Sequence, residues 1–397
     1  MTEIAERLEE LRESGLHRRV RLVESSQGPE VLLDGHPVLL LCSNNYLGLA
    51  GHPLVREAAA EAAIRWGAGA GASRLISGSM DPHRALEQRL AAFTGHDAAL
   101  LFGSGYLANT GVIAALAQRG EVVFSDELNH ASIIDGCRLA RAETFVYRHA
   151  DLEHLAWGLR LAGDRASLIV TDGLFSMDGD RAPLEGLLRL ARSHRCRLMV
   201  DEAHATGTVG PGGRGTVAAA GLDEDVDLLV GTLGKALGSY GAYVCGSSEM
   251  VEYLLNTVRS FIFSTALPPP VVAAAQEALA LLEAEPEMVQ RLAVNSAVLR
   301  EALAAEGLPV GDSESQIVPV HIGDSGQAMR ISEALLEHGV FAQGIRPPTV
   351  PEGTARLRFT AMSTHDPTAL QRAARALGAA TRSLGAGAQR PPIRLAA

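Results

Sequence analysis

The sequence predicts an α/β protein with a mostly parallel seven-stranded sheet in a large domain, followed by a smaller α+β domain. Three observations carry this. Short apolar runs alternate with Ala- and Leu-rich helical stretches from residue 45 to about 285, the pattern of strands joined by crossover helices. Beyond that point the order changes to helix, strand, helix, strand, strand. The length, 397 residues, exceeds what one simple core supports. The expected divisions are an N-terminal arm over 1–44, a large α/β domain over 45–285 and a small domain over 286–397.

Residues 2–15 place Ile4, Leu8 and Leu11 on one face with charges on the other, which predicts a helix ended by Gly15. Residues 31–40 read as a small hairpin about the Asp34-Gly35 turn. Candidate strands of the large domain are Ala98–Phe102, Val122–Ser125, Thr144–Tyr147, Leu168–Thr171, Leu198–Val200, Leu228–Val230 and Ala242–Cys245. Leu267-Pro268-Pro269-Pro270 is a breaker before a long Ala/Leu helix. The small domain offers strands at Ile317–His321, Phe341–Gln343 and Arg356–Phe359. The tail from Gly385 to Pro392 is expected to fray.

With 47% hydrophobic and 20% charged residues, the chain fits a globular enzyme rather than a disordered protein. A net charge of −11 argues against nucleic acid and against an anionic membrane surface. Cys42, Cys137, Cys196 and Cys245 have no Cys-x-x-Cys spacing, so neither a zinc site nor a redox pair is expected. Free thiols suit a reducing cytoplasm. The N-terminus lacks an apolar signal core, and no long uncharged span is present.

Lys235 lies in Gly231-Thr232-Leu233-Gly234-Lys235, just after an apolar run ending at Val230. Upstream, Leu198-Met199-Val200 runs into Asp201-Glu202-Ala203-His204. A strand ending in Asp and His, beside one ending in Thr and Lys, is what a pyridoxal phosphate (PLP) site requires. The lysine amine forms the Schiff base, and the aspartate pairs with the pyridinium nitrogen. Alone, Lys235 reads more often as an ion-pair partner; the Asp-x-x-His element and the positions below reverse that balance.

Other positions add to this reading. Ser104-Gly105-Tyr106 follows a strand and precedes a helix expected near Ala108, so its amides can face a phosphate, although many strand–helix turns look alike. His130 can stack on a pyridine ring or serve as an ordinary polar loop residue. Ser176 can reach the ring hydroxyl or the phosphate, or simply belong to a turn. Thr232 can reach the phosphate and His204 the phenolic oxygen. Two nucleotide motifs are rejected: Gly67-Ala68-Gly69-Ala70-Gly71 follows a helical stretch rather than a strand, and Gly234-Lys235-Ala236 lacks the hydroxyl residue and first glycine of a phosphate loop.

Taken together, Ser43-Asn44-Asn45-Tyr46-Leu47-Gly48-Leu49, Phe175-Ser176-Met177-Asp178-Gly179, Asp201-Glu202-Ala203-His204-Ala205-Thr206-Gly207, Gly231-Thr232-Leu233-Gly234-Lys235 and Ile345-Arg346-Pro347-Pro348-Thr349-Val350-Pro351 make the chain resemble the α-oxoamine synthase family. That resemblance spans about residues 10–380. It implies the aspartate aminotransferase-like fold (fold type I) and a PLP-dependent acyltransferase. It further implies that Lys235 holds PLP and moves a Cα proton, that Asp201 pairs with the ring nitrogen, and that His130 stacks on the ring. Gly105, Tyr106, Ser176, His204 and Thr232 would line the cofactor. Arg358 would bind the amino-acid carboxylate with Asn44, and Arg18 and Thr349 would contact the acyl substrate. A homodimer follows, in which Thr265 reaches the neighbour's PLP phosphate. The loop at Ile345–Pro351 points to L-alanine and a pimeloyl thioester, on coenzyme A or a carrier protein. The alternatives are glycine with acetyl-CoA, or a PLP-binding protein without activity.

Overall fold

The structure is a computed structural model that describes residues 2–385. Residues 386–397, most of the tail expected to fray, lie outside the described residues. The chain divides into two compact units. One comprises the chain up to Gly48, Met177–Asp180 and the chain from Gln290 onward; the other comprises Leu49–Ser176 and Arg181–Val289.

The second unit holds the seven-stranded sheet. Its order is Ala98–Phe102, Ala242–Gly246, Leu228–Thr232, Arg197–Asp201, Ala166–Asp172, Val122–Asp126 and Glu143–Tyr147. Ala242–Gly246 runs antiparallel to both neighbours, and every other joint is parallel. The expected strands are therefore present, each within two residues of its anticipated ends. Leu168, Val170, Met199, Leu228, Val230 and Val244 are buried on one sheet face with Val112, Ile113 and Ile133 from the helices Gly105–Leu116 and Ala131–Ala140. Burial on both faces explains why these strands read as continuous apolar runs rather than as alternation.

Because Ala98–Phe102 is two antiparallel steps from Leu228–Thr232, it points the same way as the parallel strands. Phe102, Asp126, Asp172, Asp201 and Thr232 consequently end at one edge of the sheet. Ligands of open parallel sheets bind outside that edge. The long helix expected after the prolines is Pro269–Ala284. Gly67, with φ of 90°, closes the helix Pro53–Trp66, so the glycine-rich run indeed follows a helix.

In the first unit, Glu30–Leu33 and His36–Leu40 form the hairpin, with Asp34 at φ 48° and Gly35 at φ 80°. Two positive-φ residues make the tight turn that suits strand twist. A separate sheet orders Ile317–Gly323, Ala355–Thr360 and Gln343–Ile345. The expected strand Phe341–Gln343 is divided. Val340–Phe341 runs parallel beside His36–Leu40, and Gln343–Ile345 joins Ala355–Thr360. The N-terminal helix spans Glu3–Glu13 and leaves Ile4, Leu8 and Leu11 exposed.

His365 supplies a pH handle in this unit. Its Nδ1 accepts from Met362 N at 2.9 Å, and its Nε2 lies 3.2 Å from Leu40 O. That pairing fits one neutral tautomer, and burial pushes the ring's pKa down to about 4. The unfolded ring binds its proton near pH 6.5. Stability from the neutral ring is therefore complete above about pH 6.5 and is lost as pH falls towards 4, amounting to about 3 kcal/mol. Urea unfolding across that window is expected to be steeper in pH for the wild type than for His365→Gln; equal slopes would remove His365 from the acid response.

Candidate active site

At the shared strand edge, Asp201 is buried, 3% exposed. Its Oδ1 accepts from Ala203 N at 2.9 Å and its Oδ2 from Asn109 Nδ2 at 2.6 Å. Asn109 Nδ2 also donates to Ser132 Oγ at 2.9 Å, and that hydroxyl lies 2.7 Å from His130 Nδ1. A continuous polar chain therefore runs from Asp201 through Asn109 and Ser132 to His130. Asn109 Oδ1 is buried without a hydrogen bond.

His130 caps the helix Ala131–Ala140, and its backbone N donates to Asp172 Oδ2 at 2.9 Å. Its outer surface is open, while the surrounding protein desolvates the ring and lowers its pKa. Asp201 acts against that shift and Lys235 with it. One imidazole thus feels both the carboxylate and the amine. Burial, then the charge of Asp201, pushes the Asp172 carboxyl well above the usual carboxylate range.

Lys235 is half-buried in the connection between Leu228–Thr232 and Ala242–Gly246, where Gly238 N donates to its carbonyl at 2.9 Å. Gly238 has φ of 60°, and a side chain there would collide with the Leu49–Ala50 backbone. The helix after Ala98–Phe102 starts at Gly105, three residues earlier than expected, because Ser104 Oγ caps it by accepting from Leu107 N at 3.2 Å. The Gly105 and Tyr106 amides lie in the first turn, where helices leave donors unpaired. No atom crowds the side-chain position of Gly105. The Tyr106 hydroxyl donates to the Asp135 carboxylate, which raises the phenol's pKa. Ser176 and His204 are buried. Thr232 Oγ1 donates to Gly241 O at 3.1 Å and accepts from Gly234 N at 3.2 Å. Thr265 is exposed and forms an antiparallel bridge with Ser73. All these residues belong to the larger unit.

Arg18, Asn44, Thr349 and Arg358 belong to the other unit. Arg358 is 7% exposed on the strand Ala355–Thr360. Its guanidinium donates to Asn44 Oδ1 at 3.3 and 3.4 Å and to the Tyr46 hydroxyl at 3.3 Å, and Tyr46 donates to Asn44 at 3.0 Å. Thr349 is exposed, and its amide donates to Arg346 O at 3.2 Å. Arg18 is exposed, with hydrogen bonds to Leu16 O at 3.5 Å and Pro347 O at 3.4 Å.

Sequence reading assigned no role to Asn109, Ser132, Asp172 or Tyr46. For Asn109 a signal existed: a polar residue between Ala108 and Val112 on a buried helix face needs a partner. Among the described residues, no group of three His, Cys, Asp or Glu side chains is placed to hold a metal. Nor is any helix long and apolar enough to cross a membrane. The four cysteines are free.

The family model for aminotransferase class I and II matches residues 36–377. A protein of Geobacter sulfurreducens named 8-amino-7-oxononanoate synthase is 54% identical over 388 residues, covering 96% of this chain and 98% of its own. The chain belongs to the 8-amino-7-oxononanoate synthase family. A further synthase of that name, from Citrifermentans bemidjiense, is 51% identical and covers 97% and 100% of the two chains. Among solved structures, the 8-amino-7-oxononanoate synthase of Francisella tularensis superposes with a TM-score of 0.76 at 29% identity, over 88% of this chain and 99% of that one. A serine palmitoyltransferase variant from S. paucimobilis with a bound PLP–myriocin aldimine gives 0.92 at 36% identity, over 97% and 98%. As a member of the synthase family, this chain is a PLP-dependent transferase of fold type I.

Proposed function

We propose that the protein condenses L-alanine with a pimeloyl thioester, yielding 8-amino-7-oxononanoate, carbon dioxide and the free thiol, a step of biotin synthesis. The observation that carries this is that buried Asp201, and the segments bearing His130 and Lys235, all follow strands ending at one sheet edge, with Asp201 linked to His130 through Asn109 and Ser132. The residues present fit PLP. Asp201 is held by two N–H donors, and the helix opening at Gly105 offers amides to a phosphate. Bound PLP supplies an electron sink for a carbon that loses its proton.

The chain's own groups divide the remaining work. Asp201 holds positive charge at the ring nitrogen, and Asn109 fixes that carboxylate in place. His130 would pack on the ring face. Gly105, Tyr106, Ser176, His204, Thr232 and the partner subunit's Thr265 would line and hold the cofactor. Arg358, steadied by Asn44 and Tyr46, takes the alanine carboxylate through its guanidinium fork. Lys235 Nζ takes the alanine Cα proton and returns one at the end. The carbon so deprotonated would add to the thioester carbonyl, with departure of the thiol and loss of the original carboxylate as carbon dioxide. Arg18 and Thr349 contact the acyl donor.

A homodimer accompanies this reading. Leu75, Ile76 and Phe263 are exposed on the two segments joined by the Ser73–Thr265 bridge, an apolar surface that suits a second copy. Light scattering is expected to give twice the chain mass; a fully active monomer would exclude a shared site.

The deciding assay measures kcat/KM for alanine and glycine against pimeloyl-CoA and acetyl-CoA, following thiol release. Alanine with pimeloyl-CoA is expected to lead. The acyl chain should decide more than alanine's methyl, whose preference is limited to about 10–200-fold. A lead for glycine with acetyl-CoA would assign the chain to that sister reaction.

A further inference from the structure

His130 is held by its main chain and by its ring. Its backbone N donates to Asp172 Oδ2 at 2.9 Å. On the ring, Nδ1 faces the backbone N of Ser132 at 3.3 Å and the Ser132 hydroxyl at 2.7 Å. A backbone N–H can only donate. Nδ1 is therefore the acceptor nitrogen, and the proton of the neutral imidazole belongs on Nε2. The direction of the hydroxyl agrees. Asn109 Nδ2 lies 2.6 Å from Asp201 Oδ2 and 2.9 Å from Ser132 Oγ, so its two hydrogens go one to each. Ser132 Oγ accepts from Asn109, and its single hydrogen is left for His130 Nδ1.

Asp201 is what turns this chain one way. Turned over, the Asn109 amide would set its oxygen against the carboxylate, acceptor facing acceptor. In the orientation adopted, Asn109 Oδ1 is buried with no hydrogen-bond partner. Buried polar atoms are rarely left so, because each costs free energy. An amide that forgoes a bond at its oxygen to keep both hydrogens in the chain marks a chain whose direction is fixed. Asn109 and Ser132 are each 1% exposed, so bulk solvent does not compete for either.

We propose that Ser132, oriented by Asn109, is a positioning residue of the condensation. It occupies the lone pair of His130 Nδ1 and keeps the ring proton on Nε2, so the ring offers a donor there and no lone pair, leaving Lys235 the sole base. The inference rests on the condensation reading above and deepens it by saying how its two nitrogen bases are kept apart. An imidazole with its proton on Nδ1 carries a free Nε2 lone pair and is a general base at neutral pH. Beside the reacting carbon it would give the Cα proton a second way to leave. Two donors converging on Nδ1 exclude that tautomer. The charged groups that face the ring are Asp201, at the end of Arg197–Asp201, and Lys235, in the loop after Leu228–Thr232. Asp172, at the end of Ala166–Asp172, meets the His130 amide. All three remain when Ser132 is changed, so a shift in His130 titration on that change reports on the hydroxyl.

The test is nitrogen NMR of the holoenzyme carrying isotope-labelled histidine. The chain has 13 histidines, and His130 is assigned by the signals lost in His130→Gln. The wild type is expected to show one His130 tautomer, protonated at Nε2. Ser132→Ala removes a donor that favours the neutral ring, so the ring's pKa should rise by about half a unit to one unit. The acid limb of kcat/KM for alanine with pimeloyl-CoA should move up with it. Ser132→Thr, which keeps the hydroxyl, should restore both. A wild-type ring protonated at Nδ1 would overturn the inference with no variant needed. A Ser132→Ala ring that titrates as in the wild type would overturn it too. So would a loss of turnover equal at every pH, which would make Ser132 a packing residue. If alanine and pimeloyl-CoA do not react, the condensation reading fails, and the proton on Nε2 then stands or falls on the spectra alone.

Discussion

Lys235→Ala is expected to be folded, colourless and inactive. The side chain is half-buried, and the main-chain bond from Gly238 N to Lys235 O does not involve it. The substitution therefore leaves that main-chain bond in place while removing the amine proposed both to anchor the cofactor and to move the alanine Cα proton. Loss of a positioned base alone costs about 10²–10⁴-fold in rate; loss of the anchor adds to this. The absorbance of purified protein, and borohydride labelling of the peptide containing Lys235 in the wild type, report on the anchor separately from turnover. Wild-type-like visible absorbance and borohydride labelling in the Ala variant would assign the attachment to another lysine.

The second large effect is expected at Asp201→Asn, with turnover falling by about two orders of magnitude or more, as when one electrostatic stabiliser of a reaction is removed. The structure adds a stability cost that the chemistry alone does not predict. Both carboxylate oxygens accept N–H donors, from Ala203 and Asn109. An amide at 201 must turn its NH2 towards one of them, setting donor against donor. Asn109 can relieve this by flipping so that its oxygen, unpartnered at present, accepts from the new amide, but the flip breaks its bond to Ser132. One buried hydrogen bond is lost either way, about 1–3 kcal/mol. Chemical denaturation of the Asn variant should show a lowered midpoint alongside lost turnover. Turnover within a few-fold of wild type would mean that another group holds the charge at the ring nitrogen.

The sequence carried the large sheet because its strands are short, apolar on both faces and separated by helices, so each stands out from its surroundings. It also placed Asp201, His204 and Lys235 at or just beyond the ends of such strands, the edge where ligands of open parallel sheets bind. Less legible was the small unit. Val340–Phe341 and Gln343–Ile345 form one continuous β-prone stretch in sequence, and only tertiary pairing divides it between two sheets, with Ala342 between them. Supporting polar residues were hidden for a related reason. Asn109 and Ser132 lie on helices distant in sequence from Asp201, and nothing local distinguishes a residue that orients a carboxylate from one that merely satisfies its own amide. Tyr46 lay inside a motif that was read for Asn44.

The return strand Ala242–Gly246 has a consequence for Lys235. Parallel neighbours need a long crossover, whereas an antiparallel neighbour lets the chain turn back after a short loop. Within that loop Leu233 N donates to Gly241 O at 2.9 Å and Ser239 N to Leu233 O at 2.8 Å. Lys235 is thus carried by an extension of the ladder itself. Displacing its main chain requires those pairs, at the end of two fully interior strands, to open first. Slow amide hydrogen exchange at Leu233 and Ser239, close to that of the sheet centre, would be the signature of a lysine whose backbone rigidity comes from cooperative strand pairing, unlike an ordinary surface loop.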